Sequence, residues 1–247
     1  MTRTLNQHAV SPADTASSLT GIIVAMREEL EIVLQQLRDT TVIEKASMQF
    51  HVGYFADKPV VAVICGVGKV NAAACAQLLI SEFHIQQLIN IGIAGGIGEH
   101  IKPGDVVIAD SLVQHDMDVT ALGLPPGQIF RLNTFDFKSD PLLLRLAQEA
   151  SVHINDHNCH TGRIVSGDQF IACPDKNRWL QHEFSALACE MESASIAQVC
   201  YLNQLPFVCI RSISDNANTG ANMDFEQFMP IAVKNTSTLL HHMIPSC

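Results

Sequence analysis

The chain has 247 residues, long enough for a large core, with 47% apolar and only 16% charged residues. Twenty-five acids against 15 Lys and Arg give a net charge of −10, and no basic block stands out, which argues against nucleic acid or an anionic membrane as partner. Eight cysteines occur without a C-x-x-C pair or a metal-ligand spacing, and no apolar run approaches the roughly 18 residues of a membrane span.

Residues 1–20 are polar, rich in Ser, Thr and Ala, and lack an apolar signal core. They are expected to form a weakly ordered extension ahead of one domain over residues 21–247. Residues 21–26 read as a short buried strand. A helix is expected over 27–39, with the apolar stripe Leu30, Val33, Leu34 and Leu37. Strands follow at 48–55 and 59–65, then the turn Gly66-Val67-Gly68-Lys69 opens an Ala-rich helix to about Phe83. Residues 88–94 form another strand, meeting a glycine cluster at 95–98 where backbone amides can approach a ligand closely.

A long strand over 105–116 precedes the Pro- and Gly-rich loop 122–127. Asp140 is an N-cap with Pro141 at the first helical position, starting a helix to about Ser151. A strand over 160–167 leads into Ser166-Gly167-Asp168-Gln169-Phe170-Ile171. Residues 187–189 read as a buried strand, followed by Glu190-Met191-Glu192-Ser193 and a helix to about Leu202. Pro206 restarts the chain as the apolar strand 207–210, which ends in Arg211-Ser212-Ile213-Ser214-Asp215. Asp224, with Gln227 three residues on, reads as the cap of the last helix, and Pro230 predicts a kink or restart within it. Cys65, Cys75, Cys189, Cys200 and Cys209 lie in apolar runs and read as reduced core residues of a cytoplasmic protein. Alternating strands and helices predict an α/β protein, a single α/β/α sandwich around a mixed sheet.

Carboxylates and an arginine thus sit where apolar strands end, the edge at which open α/β sheets build ligand sites. Taken singly, Glu29, Glu190 and Glu192 read as helix N-terminal acids, and Asp215 as a turn residue. Arg27 and Glu28 read as solvated.

The segments Glu190-Met191-Glu192-Ser193-Ala194 and Arg211-Ser212-Ile213-Ser214-Asp215 resemble those of 5′-methylthioadenosine/S-adenosylhomocysteine nucleosidases, within the nucleoside phosphorylase fold. Met26-Arg27-Glu28-Glu29, the 66–72 turn, Ala94-Gly95-Gly96, His115-Asp116-Met117-Asp118-Val119-Thr120-Ala121 and the 165–171 segment match in the same order. The resemblance implies hydrolysis of an N-glycosidic bond, in which one carboxylate activates water and an acid protonates the leaving purine. It assigns Glu29 to the water, Asp215 to purine N7, and Arg211 to holding the acids. Glu192 would hold the ribose hydroxyls and Met191 would pack against the ribose. Phe170 would stack on adenine, the Ile171 backbone would read its edge, and Ser214 joins the substrate contacts. Met26, Val67 and Phe225 would line a slot for the 5′-alkylthio group, completed by Leu122 from a neighbouring subunit of a homodimer. No cofactor or metal is implied. The rivals are a phosphate-dependent phosphorylase, a futalosine-type nucleosidase and a silent nucleoside-binding protein. The main departure is Ile93, where many relatives carry a hydroxyl residue before Ala-Gly-Gly.

Overall fold

The computed structural model describes residues 18–216 and 221–247, with side chains in the last helix described from residue 228 onward. The strands are β1 (Thr20–Val24), β2 (Arg38–Lys45), β3 (Met48–Phe55), β4 (Lys58–Ile64), β5 (Gln87–Gly96), β6 (Val106–Gln114), β7 (Phe137–Lys138), β8 (Cys159–Ser166), β9 (Ala186–Glu190) and β10 (Phe207–Asn216). The helices are α1 (Arg27–Leu34), α2 (Lys69–Phe83), α3 (Pro141–Ala150), α4 (Pro174–Phe184), α5 (Ser193–Asn203) and α6 (Ala221–Met243).

These strands form one mixed sheet. β5, β1 and β4 run parallel, β10 runs parallel to β5 on its other side, and β3 and β2 extend the far edge antiparallel. The pairings β5–β10, β10–β6, β6–β8, β8–β9 and β9–β5 close the other end into a ring. Alternate side chains of a strand face opposite layers. Ile23 therefore packs with Cys75 and Leu79 of α2 and Ala197 of α5, whereas Ile22 and Val24 pack with Leu30 of α1, Leu143 of α3 and Leu240 of α6. This is the expected three-layer α/β/α arrangement. A third cluster seats Leu180 and Phe184 of α4 against Ile97, Val113 and Val165. The five cysteines expected in the core are all buried, and all eight are free thiols.

Several boundaries differ from expectation. α1 stops at Leu34 instead of running to Asp39, and residues 38–45 form β2, an edge strand exposed along almost its whole length. With no buried face, β2 has no alternation to reveal it. α4 went unread because its polar sequence PDKNRWLQHEF has little periodicity; its available signal was Pro174 at N1 followed by Asp175. Asp140 caps α3 as expected, accepting from the backbone N–H of Leu142 and Leu143 at 2.9 and 3.0 Å.

α6 begins at Ala221, three residues before the expected cap, and runs unbroken through Pro230 to Met243. The Asp224 side chain lies outside the described residues. Proline forfeits one helix hydrogen bond, but beyond it Ala232, Leu239, Leu240 and Met243 are fully buried, and that packing holds the helix together. Of the kink or restart expected near Pro230, the restart is therefore not seen. Most of the expected extension over residues 1–20 also lies outside the described residues. Among the described residues, no helix is long and apolar enough to cross a membrane.

Candidate active site

The ends of β1, β4, β5, β9 and β10 meet at a cavity of about 250 Å³. Its walls include Met26, Glu29, Val67, Phe170, Met191, Glu192, Arg211, Ser214 and Asp215, so nine of the residues singled out in the sequence converge on one space. Ile171 lines a smaller cavity that shares Gly95, Phe170, Cys189, Glu190, Met191 and Asp215 with the first. Leu122 does not line the pocket; it ends a 3₁₀ turn and is 62% exposed. The Phe225 side chain lies outside the described residues. Arg27 and Glu28 are exposed, as expected.

Glu29 sits at the third position of α1 and is buried. Its Oε2 accepts from the backbone N–H of Ala25 and Met26 at 3.0 and 2.9 Å, and its Oε1 from that of Ile93 at 3.0 Å. The carboxylate therefore closes its own helix start and reaches across to β5. Burial raises its pKa above the ordinary glutamate value, opposed by the nearby Arg211 charge and by these three N–H donors. A buried carboxyl with a raised pKa is a better base once ionised.

Arg211 is buried on β10 and held from one side. Its Nη2 donates to Glu190 Oε2 at 2.6 Å, to Ser193 Oγ at 2.7 Å and to Asn90 Oδ1 at 3.0 Å, while Nε donates to Ser193 Oγ at 3.1 Å. Burial works against its charge, but Glu190 and its fellow acids outweigh this and raise the guanidinium pKa. Glu192 Oε2 lies 3.7 Å from Nη2, the looser of the two acid contacts.

Glu190 has a structural part that its motif position did not reveal. Besides Arg211, its Oε2 accepts from the backbone N–H of Glu192 and Ser193 at 3.0 and 2.9 Å, capping α5, and its Oε1 accepts from the Ser166 hydroxyl. The helix N-terminal reading holds for this acid, with an ion pair added. Glu192 is different: its one backbone donor is Gly68 N–H at 2.9 Å, and its side chain reaches the pocket. Burial and neighbouring Glu190 push its pKa up to about 7, against the pull of Arg211 and the Gly68 N–H. Gly68 can present that N–H because its φ is +97°, a conformation glycine adopts without strain.

Asp215 reaches the pocket through a β-bulge. β10 pairs Ile213 with Ala94 and then Asp215 with Gly95, so Ser214 is the extra residue. The Ser214 hydroxyl donates to Asp215 Oδ2 at 2.8 Å. Both residues are buried.

Outside the pocket lining, Asp116 pairs its Oδ1 with Lys69 Nζ at 2.6 Å, and its Oδ2 accepts from Asp168 N–H at 3.0 Å. Asp168 in turn accepts from Lys69 N–H at 2.8 Å. This clasp joins the Val67 turn to the Phe170 loop. Sequence reading missed Asn90, Gly92 and Ser193 as parts of the site. Gly92 leaves room for Arg211, since a Cβ there would lie 2.0 Å from Nη1 and 2.7 Å from Glu29 Oε1.

Residues 20–245 match the model of the Phosphorylase superfamily. A 5′-methylthioadenosine/S-adenosylhomocysteine nucleosidase of Psychromonas ingrahamii is 42% identical, over 91% of this chain and 97% of its own. The structure of the Neisseria meningitidis nucleosidase of that name, in complex with methylthio-immucillin-A, superposes with a TM-score of 0.90 at 34% identity, covering 93% of this chain and all of the other. A futalosine hydrolase of Helicobacter pylori is similar too, with a TM-score of 0.88 at 33% identity over 94% of this chain and 99% of its own. Matched over residues 20–245 and 42% identical to such a nucleosidase over 91% of its length, the chain belongs to the 5′-methylthioadenosine/S-adenosylhomocysteine nucleosidase family of the phosphorylase superfamily.

Proposed function

We propose that this chain hydrolyses the N-glycosidic bond of 5′-methylthioadenosine and S-adenosylhomocysteine, releasing adenine and the thioribose for methionine salvage in the cytoplasm. The observation that carries this reading is the charge around the pocket. Among its described residues, Glu29, Glu190, Glu192 and Asp215 supply four acidic side chains, and Arg211 is the single cation. Arg211 is already paired with Glu190. Such a site disfavours a phosphate dianion and suits water attacking a ribose that gains positive charge.

In this reading Glu29, gripped by three backbone donors, takes the proton of the attacking water. Asp215, near the end of β10, protonates the leaving purine at N7, with Ser214 orienting its carboxyl. Glu192 holds the ribose hydroxyls and opposes the developing positive charge. Phe170, 56% exposed beside the cavity, offers its face to adenine, and the Ile171 backbone reads the base edge. Met191 packs on the ribose, and Met26, Val67 and Phe225 receive the 5′-alkylthio group. Leu122 is exposed and does not line its own pocket, which fits a homodimer in which it completes the neighbour's slot.

Incubating the protein with 5′-methylthioadenosine, with and without phosphate, tests the reading by the sugar released. Free methylthioribose at a rate independent of phosphate is expected. The 1-phosphate would establish the phosphorylase instead. Parallel turnover of futalosine separates the related nucleosidase, which the Helicobacter pylori likeness keeps in view. Binding of these nucleosides without turnover would identify a silent binding protein.

A further inference from the structure

We infer that Asn90 is a positioning residue for this reaction: it cross-links the strand that anchors Glu29 to the guanidinium of Arg211 and so fixes how the two face each other. The inference rests on the hydrolase reading above. Asn90 lies on β5 between β1 and β10, three residues before Ile93, and is 1% exposed. Its Nδ2 donates to Ile23 O on β1 at 2.9 Å. A carbonyl only accepts, so this bond decides which end of the amide is nitrogen and turns Oδ1 toward β10. There Oδ1 accepts from Arg211 Nη2 at 3.0 Å and from Ser193 Oγ at 2.7 Å.

Two features make that contact matter. The first is where β1 leads: two residues after Ile23, Ala25 and then Met26 supply the N–H donors that grip Glu29. Asn90 thereby ties the anchor of the base directly to the arginine that faces it. The second is the asymmetry of the guanidinium. Its Nη2 and Nε edge is held by Glu190, Ser193 and Asn90, while among the described residues Nη1 makes only a long 3.4 Å contact to Ile93 O and lies over Gly92 beside Glu29. The orientation of Nη1 is therefore set from behind. Glu190 supplies charge there but is also committed to capping α5. Of the two neutral members of the trio, Ser193 and Asn90, Asn90 is the one that also reaches β1.

The test is steady-state kinetics on 5′-methylthioadenosine for Asn90→Leu, which removes both bonds with little change in volume. We expect kcat to fall about 10- to 100-fold, the loss anticipated for one hydrogen bond to a charged group. KM should stay within about threefold, because Asn90 does not line the pocket. The low-pH limb of kcat/KM should move to higher pH, since Arg211 would counter the burial of Glu29 less well. Asn90→Asp, which keeps an oxygen beside Arg211, should turn over faster than Asn90→Leu. Should the leucine variant not fold, Asn90→Ala carries the same expectations. Lowered thermal stability with unchanged kcat and an unchanged low-pH limb would overturn the positioning role, as would equal rates for the Asp and Leu variants. Wild-type protein that turns over no thionucleoside would overturn the parent reading and this one with it; wild-type turnover unaffected by position 90 would overturn this one alone.

Discussion

Arg211 passes over Gly92 so closely that a Cβ on the glycine would lie 2.0 Å from Nη1. The two residues are directly paired in the parallel register of β5 and β10, so the arginine can lie flat only because its neighbour has no side chain. Gly92→Ala would push the guanidinium off Glu190 or displace Glu29. We expect kcat to fall at least about 100-fold, since a misplacement of about 1 Å can cost that much. Stability should drop by about 1–3 kcal/mol, as for overpacking in a tight interior. Activity measurements and chemical denaturation check both; an active, undestabilised Gly92→Ala variant would show that the arginine has another route.

Asp215→Asn keeps the shape of the side chain, and Ser214 can still bond to it. It removes the acid proposed for the leaving purine. Acid catalysis contributes about 10²- to 10⁴-fold, so kcat should fall by that order while a nucleoside analogue still binds, measurable by calorimetry. A variant within about threefold of wild type, well below that range, would remove Asp215 from the mechanism.

The raised acids predict pH dependence in two observables. Glu29 must be ionised to accept a proton, and burial raises its pKa. The rate should therefore climb with pH along a limb above the ordinary glutamate value of 4.5. Glu192 is pushed up to about 7, so the folded state holds a proton that the unfolded chain releases. That contribution to stability is fully present below 4.5 and is lost as pH rises through about 7. Glu192→Gln lacks this loss. Denaturation of both proteins at pH of about 4.5 and about 8 should show the wild type losing ground to the variant at the higher pH. A gap that does not change with pH would mean that Glu192 is not so perturbed.

The residues carried by local motifs were legible because each motif sits at or just after a strand end and the mixed sheet gathers those ends. Glu29, Glu192, Arg211 and Asp215 share one cavity for that reason. Asn90 and Gly92 were not legible. Both read as ordinary members of an apolar strand, and their significance comes from Arg211, 121 residues beyond Asn90. Glu190 was read only as a helix-start acid, because its partners Ser166 and Arg211 come from other strands. The fold was legible wherever burial imposed a period. β2, exposed on both faces, and α4, mostly polar, lacked that imprint.

Ile93 is the main departure from the family pattern, and its geometry narrows what the departure can do. Its backbone serves the site: the N–H donates to Glu29 Oε1 at 3.0 Å, and the carbonyl lies 3.4 Å from Arg211 Nη1. Neither contact uses the side chain, so any residue in the same strand conformation would make them. Ile93 lines the cavity, and its side chain has no donor or acceptor to offer there. A hydroxyl at this position could add one hydrogen bond near the attacking water, worth about 0.5–1.5 kcal/mol, or roughly two- to twelvefold in rate if it forms only in the transition state. Ile93→Ser should therefore change kcat by about tenfold or less. It brings no cation, so it should not create a need for phosphate. Measuring kcat and KM for this variant with and without phosphate decides the matter: acquired phosphorolysis would mean that the side chain of Ile93, and not the four carboxylates around it, keeps phosphate out of the water position.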